Sequence, residues 1–122
     1  MKVLKPKTIE ELIAAYKQGQ RHFKHWDFDE DGSVQGMDLS ETIFERCFMF
    51  LDFSGANLTN AQFIECNIKT ADFSRANLTN AVIRGCCVES TIYKGAIVTN
   101  LIFENNEYYG VNLGQEDFKK LL

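Results

Sequence analysis

From Leu51 onward a bulky apolar residue returns at every fifth position: Phe53, Leu58, Phe63, Ile68, Phe73, Leu78, Ile83, Val88, Tyr93, Val98, Phe103, Tyr108, Leu113 and Phe118. Two residues before each sits a second, usually smaller one: Leu51, Ala56, Ala61, Cys66, Ala71, Ala76, Ala81, Cys86, Thr91, Ala96, Leu101, Asn106 and Val111. Neither a helical nor a strand period accommodates this spacing. Thirteen quintets run from 51 to 115 without an insertion, so the repeat is the architecture. A longer interval lies inside it. DFSGANLTNA (52–61) and DFSRANLTNA (72–81) differ only at Gly55 and Arg75 and begin twenty residues apart. Four quintets thus close one turn, and residues twenty apart stack at the inter-strand spacing of about 4.8 Å.

Upstream the phase shifts. Leu39, Phe44 and Met49 are five apart, but Met49 and Phe53 are only four apart, so that corner lacks a residue. Phe23 and Phe28 return to the later phase, with one extra residue between Phe28 and Val34, read as a bulge around 29–33. Before the repeat, Thr8 and Glu11 form a capping box, and Ile9, Leu12, Ile13 and Tyr16 share one face of a helix stopped at Gly19.

The units Ala56-Asn57-Leu58-Thr59-Asn60, Ala71-Asp72-Phe73-Ser74-Arg75 and Ala76-Asn77-Leu78-Thr79-Asn80 match A-(D/N)-L-x-x. In these quintets, over residues 37–118, the chain resembles the pentapeptide-repeat family. The resemblance implies an all-β solenoid: a right-handed quadrilateral parallel β-helix of about four to five coils, one quintet per side. Its central and small residues face inward and the other three face water. The expected division is an N-terminal capping α-helix in 1–22 and the β-helix with its C-terminal cap in 23–122. The inward stacks then read Phe53/Phe73/Tyr93/Leu113, Leu58/Leu78/Val98/Phe118, Phe63/Ile83/Phe103 and Ile68/Val88/Tyr108. Open solenoid ends expose backbone and core, and Gln115–Leu122 is the candidate lid opposite the helix.

Composition narrows the function classes. The chain is 45% hydrophobic and 25% charged, which excludes disorder and a membrane span. Net charge is −4 with scattered Lys and Arg, which argues against a nucleic-acid partner. Lys2, Lys5 and Lys7 precede no apolar run, so the expectation is a cytoplasmic chain whose four cysteines are thiols.

Three features invite chemistry. Asp27 to Asp38 fits an EF-hand loop, D-x-D-x-D-G, with Asp27, Asp29, Asp31, Ser33 and Asp38 as calcium ligands and Gly32 at the sharp turn. Against it, Asp38 is shorter than the usual Glu, the exit is a repeat coil rather than a helix, and the repeat claims Phe28 and Val34. An acidic surface bulge is the competing reading. Cys47, Cys66 and Cys86 fall in one inward column continued by Asn106, as compact apolar filler, whereas Cys87 points outward. His22 and His25 flank the junction between helix and coils without a third ligand. No nucleophile–base pair or phosphate-cradling loop is present, so no catalytic site is expected.

The outward slot just before each central residue carries the main functional expectation. It is polar at Asp52, Asn57, Gln62, Asn67, Asp72 and Asn77, then apolar at Val82, Cys87, Ile92, Ile97 and Ile102, and polar again from Glu107. Exposed contiguous apolar surface is a covered or binding surface. The leading expectation is a non-enzymatic scaffold that self-associates or binds a protein there, unless the C-terminal tail folds over it. The alternatives are a calcium-binding module through 27–38 and, from the family resemblance alone, a DNA-mimic regulator of a type II topoisomerase.

Overall fold

Most described corners of the coil turn on a residue in left-handed backbone conformation; the short corner between Met49 and Phe53 does not. Eleven of these are not glycine, among them Asn60 (φ 62°), Arg75 (φ 58°), Asn80 (φ 60°) and Asn100 (φ 58°), and glycine takes the role at Gly55 (φ 67°) and Gly95 (φ 71°). The difference between Gly55 and Arg75 is therefore one of side chain only. Both corners hold the same strained conformation, which glycine and asparagine tolerate best.

The computed structural model describes residues 6–28 and 32–122. Helix α1 (Ile9–Lys17) begins at Thr8, whose hydroxyl accepts the Glu11 N–H at 3.1 Å. It ends near Gly19 (φ 98°). Five short strands stack in parallel on one side of the rod in the order β1 (His22–Lys24), β3 (Ile43–Glu45), β5 (Gln62–Ile64), β6 (Val82–Arg84) and β7 (Ile102–Glu104). We call this the sheet side. The next side along the chain carries the cysteine column. The other two pass through Phe73 and Leu78, and β2 (Gly32–Ser33) and β4 (Leu51–Asp52) pair on the Phe73 side. About four turns result, a parallel β-solenoid roughly 20 Å long over its five rungs.

The pairings fix the phase. Phe23 pairs with Phe44, Phe44 with Phe63, Phe63 with Ile83, and Ile83 with Phe103. The first coil therefore takes twenty-one residues, the second nineteen and the later ones twenty. Both irregularities fall at the corner between the cysteine side and the Phe73 side, where Asp27 and Gly32 stand over Phe48 and Leu51.

The core is a set of straight columns. Phe53, Phe73 and Tyr93 stack nearly parallel, with centroids 5.0 and 5.5 Å apart. Phe63 meets Phe53 and Phe73 edge-on at 5.6 Å. At the N-terminal end Leu12 of α1 is fully buried, and the Tyr16 hydroxyl donates to the Ser40 carbonyl at 3.1 Å. Gly32 makes room for α1, since a Cβ there would stand 2.9 Å from Ile9 Cγ1.

The C-terminal end departs from the sequence expectation. The coil stops at β8 (Asn106–Tyr108), the chain reverses through Tyr109 (φ 50°) and Gly110 (φ 79°), and β9 (Val111–Leu113) pairs antiparallel with β8. Two successive positive-φ residues are what a tight two-residue hairpin needs. Val111 is consequently exposed, and Leu113 does not continue the Phe53/Phe73/Tyr93 column. Nor does Phe118 continue the Leu58/Leu78/Val98 column. Carried by a 3-10 helix (Gln115–Leu121), it packs over the end of the core against Tyr93 at 5.0 Å and Phe103 at 4.9 Å. The Gln115 carboxamide completes the closure. Its oxygen accepts the Phe103 N–H at 2.8 Å and its nitrogen donates to the Leu101 carbonyl at 3.0 Å. One side chain thus imitates the peptide unit that a further rung would supply to β7.

Candidate interaction surface

The polar residue in the outward slot has a structural task. Asp52 Oδ1 accepts the Ser54 N–H at 2.8 Å, and Asp72 does the same for Ser74. Asn57 and Asn77 accept the N–H groups of Thr59 and Thr79, each at 3.1 Å, and their hydroxyls at 2.7 and 2.6 Å. Each bond closes a turn on a backbone donor that no other strand reaches. Ile92 and Ile97 occupy the same slot one coil higher, paired with Asp72 and Asn77, and cannot make this bond. They are 46% and 51% exposed, and Ile102 is 41% exposed. In the fourth coil, therefore, turn closure gives way to exposed hydrocarbon.

Successive outward slots lie on successive sides, so the five predicted residues form a belt rather than a patch. Val82 and Ile102 are direct neighbours on the sheet side. Cys87, Ile92 and Ile97 follow on the cysteine, Phe73 and Leu78 sides in turn. The C-terminal tail approaches only part of this belt, where Ile92, Ala96, Val98, Leu121 and Leu122 line a groove of about 550 Å³. The slot also holds apolar residues below the predicted belt. Phe48 is exposed beside Phe50, and Ile43 stands in the sheet-side column under Gln62.

The cysteine column is a hydrogen-bonded spine. The thiols of Cys47, Cys66 and Cys86 donate to the carbonyls of Phe23, Phe44 and Phe63 at 3.1 to 3.3 Å. Asn106 ends the series by donating to the Ile83 carbonyl and accepting the Cys86 N–H, both at 2.9 Å. Contact with Cys66 and burial push the Cys47 thiol far up. The Cys47 contact works the other way on Cys66, but a bond from Cys86 and burial still push it up to about 12. Cys87 is also raised, by burial and then by Glu107 and Glu89, which opposes the thiolate that reactivity requires.

Of the proposed calcium ligands, Asp29 and Asp31 lie outside the described residues. Asp27 Oδ1 accepts the Phe48 N–H, Ser33 Oγ accepts the Gln35 N–H, and Asp38 Oδ1 accepts the Ser40 N–H and a bond from Asn57 Nδ2. The Ser40 bond holds the Asp38 carboxyl below its usual range. His22 Nε2 donates to Glu45 Oε1 at 3.0 Å, and His25 occupies a corner. Among the described residues, no group of three His, Cys, Asp or Glu is placed to hold a metal ion. No described helix is long and apolar enough to cross a membrane.

Among the described residues two buried side-chain atoms have no hydrogen-bond partner: Glu89 Oε2, which Lys69 Nζ approaches only to 4.0 Å, and the Tyr93 hydroxyl. The Tyr93 hydroxyl is fully enclosed beneath Phe118 without a hydrogen bond, and burial pushes its phenol up. An unsatisfied buried hydroxyl costs roughly 1–3 kcal/mol. Tyr93→Phe should therefore stabilise the fold by about 1 kcal/mol, read as a raised urea midpoint with unchanged slope. A lowered midpoint would show that the hydroxyl is satisfied in solution.

Comparison with known proteins agrees with the repeat. The family described as pentapeptide repeats matches residues 34–71 and 56–92, in eight copies. No curated protein matches the sequence. Among solved structures, the pentapeptide-repeat protein Rfr23 from the cyanobacterium Cyanothece 51142 is similar at 21% identity and a TM-score of 0.65, over 71% of this chain. The chain spans 59% of that protein's length. A pentapeptide-repeat protein from Nostoc PCC 7120 is similar at 25% identity and a TM-score of 0.49, over 87% of this chain and 84% of its own. The repeat in the sequence, the four-sided parallel coil and the eight matched copies of the family's repeat agree: the chain belongs to the pentapeptide-repeat family.

Proposed function

We propose that the chain is a non-enzymatic scaffold that binds protein through the aliphatic belt of its fourth coil. One observation carries this reading. Ile92 and Ile97 forgo the turn-closing bond that Asp72 and Asn77 make one coil below, and they gain no burial in exchange. A residue that leaves its own fold less satisfied and exposes hydrocarbon is explained by a contact outside the chain.

The test uses the opposition between stability and binding. Ile97→Asn restores the side chain found at Asn57 and Asn77 in the same column and should stabilise the fold by about 0.5–1.5 kcal/mol. The same variant should lose association, measured by affinity capture from the native cell. If it unfolds the protein, Ile97 supports the coil and the reading fails. Undiminished capture by a well-folded variant would also remove it.

A further inference from the structure

The sheet side bears a charge pattern that is its own complement. Along the rod, the residues following the central position of each rung read Lys24, Glu45, Ile64, Arg84, Glu104. All five point outward, and none is buried. Reverse the column against itself about its middle rung, and Lys24 meets Glu104, Glu45 meets Arg84, and Ile64 meets Ile64. The parallel outward column reads His22, Ile43, Gln62, Val82, Ile102. Reversed in the same way, it sets His22 against Ile102, Ile43 against Val82 and Gln62 against itself.

We infer that this face is the docking surface for a second copy of the chain. The copies pack sheet to sheet with their rods antiparallel, about a two-fold axis lying along β5. The operation is isologous, so each contact occurs twice and the surface closes at two copies. It also keeps each column facing itself, because an axis along the strand preserves position along the strand. Straight rungs make the match possible, since every coil brings the same two slots to the same face. Within one copy Arg84 already bonds Glu104 at 2.6 Å and His22 bonds Glu45 at 3.0 Å, so the docked faces would join these pairs into a network. At the rim Glu65 faces itself, with Arg46 of its own copy 3.5 Å away to offset the repulsion. The face is small beside the roughly 800 Å² per partner of a standard interface, so the dimer should be weak and weakened further by salt.

The inference deepens the interaction reading above and rests on it for Val82 and Ile102, but it names a different occupant and face from Ile92 and Ile97. Sedimentation equilibrium of the intact chain should show a monomer–dimer equilibrium with a dissociation constant on the order of tens of micromolar. Glu45→Arg alone and Arg84→Glu alone should each weaken it about tenfold or more, and the two together should restore it to within about threefold. Ile64→Asp should abolish it, and circular dichroism checks that this variant folds. Ile97→Asn should leave the dimer unchanged. A wild type that stays monomeric up to about 1 mM overturns the inference, and so does a charge swap that fails to restore binding. In either case, capture of a partner that depends on Ile97 would still stand for the belt.

Discussion

Phe73→Ala should lower the unfolding free energy by about 4 kcal/mol, among the largest effects of any single substitution in this chain. Three contacts vanish together. The ring lies flat between Phe53, 5.0 Å away and tilted 7°, and Tyr93, 5.5 Å away and tilted 5°, with Phe63 edge-on at 5.6 Å. Burial of one such ring contributes roughly 2–3 kcal/mol, and the cavity it leaves adds to the loss. The column cannot close over that gap, because the backbone ladders hold neighbouring coils at a fixed spacing. Urea denaturation measures the effect. A solenoid couples only neighbouring coils, so the variant should also broaden the transition as the coils above and below uncouple. A loss under about 1 kcal/mol would mean that the ring does not occupy the core.

Phe118→Ala should cost about 3–4 kcal/mol and, unlike Phe73→Ala, should also make the protein self-associate irregularly. Phe118 is the plug over Tyr93 and Phe103. Without it the 3-10 helix loses its buried anchor, and Gln115 loses the support that aims its carboxamide at β7. The edge groups of Phe103 and Leu101 then become free to pair with another chain. Hydrogen exchange separates the two levels of damage. The Phe103 amide should exchange much faster in the variant, while the Phe63 amide deep in the stack should slow-exchange as before. Light scattering should rise with concentration, and a monodisperse variant would show that Phe118 is not what closes the end.

Much of the molecule is legible in its sequence, because a twenty-residue interval repeated in phase leaves few ways to fold. The slip at Met49–Phe53, the extra residue after Phe28, the helix start at Thr8 and the cysteine column all follow from counting. Counting fails where two structures share one spacing. Val111, Leu113 and Phe118 keep the five-residue rhythm, yet the chain has reversed at Tyr109–Gly110, and apolar spacing does not report direction. The adjacent pair of left-handed residues is the signal that does. The placement of the belt also follows from counting, since a step of five moves Ile97 to Ile102 on the next side and a step of twenty sets Val82 beneath Ile102. The role of Asp52, Asn57, Asp72 and Asn77 as turn acceptors could have been found in the A-(D/N)-L-x-x motif itself. A short polar side chain placed two residues before a corner backbone N–H is the mark of such a turn.

The corner between the cysteine side and the Phe73 side has a further consequence. Successive central residues across it are six apart at Phe28–Val34, four at Met49–Phe53, and five at Ile68–Phe73 and Val88–Tyr93. The rungs on both flanking sides nevertheless stay aligned. This corner therefore behaves as an expansion joint: it absorbs differences in chain length that the flat sides do not transmit. A foreign loop grafted after Ser90, at the same corner two coils higher, should ride outside the rod with the register of β6 and β7 intact.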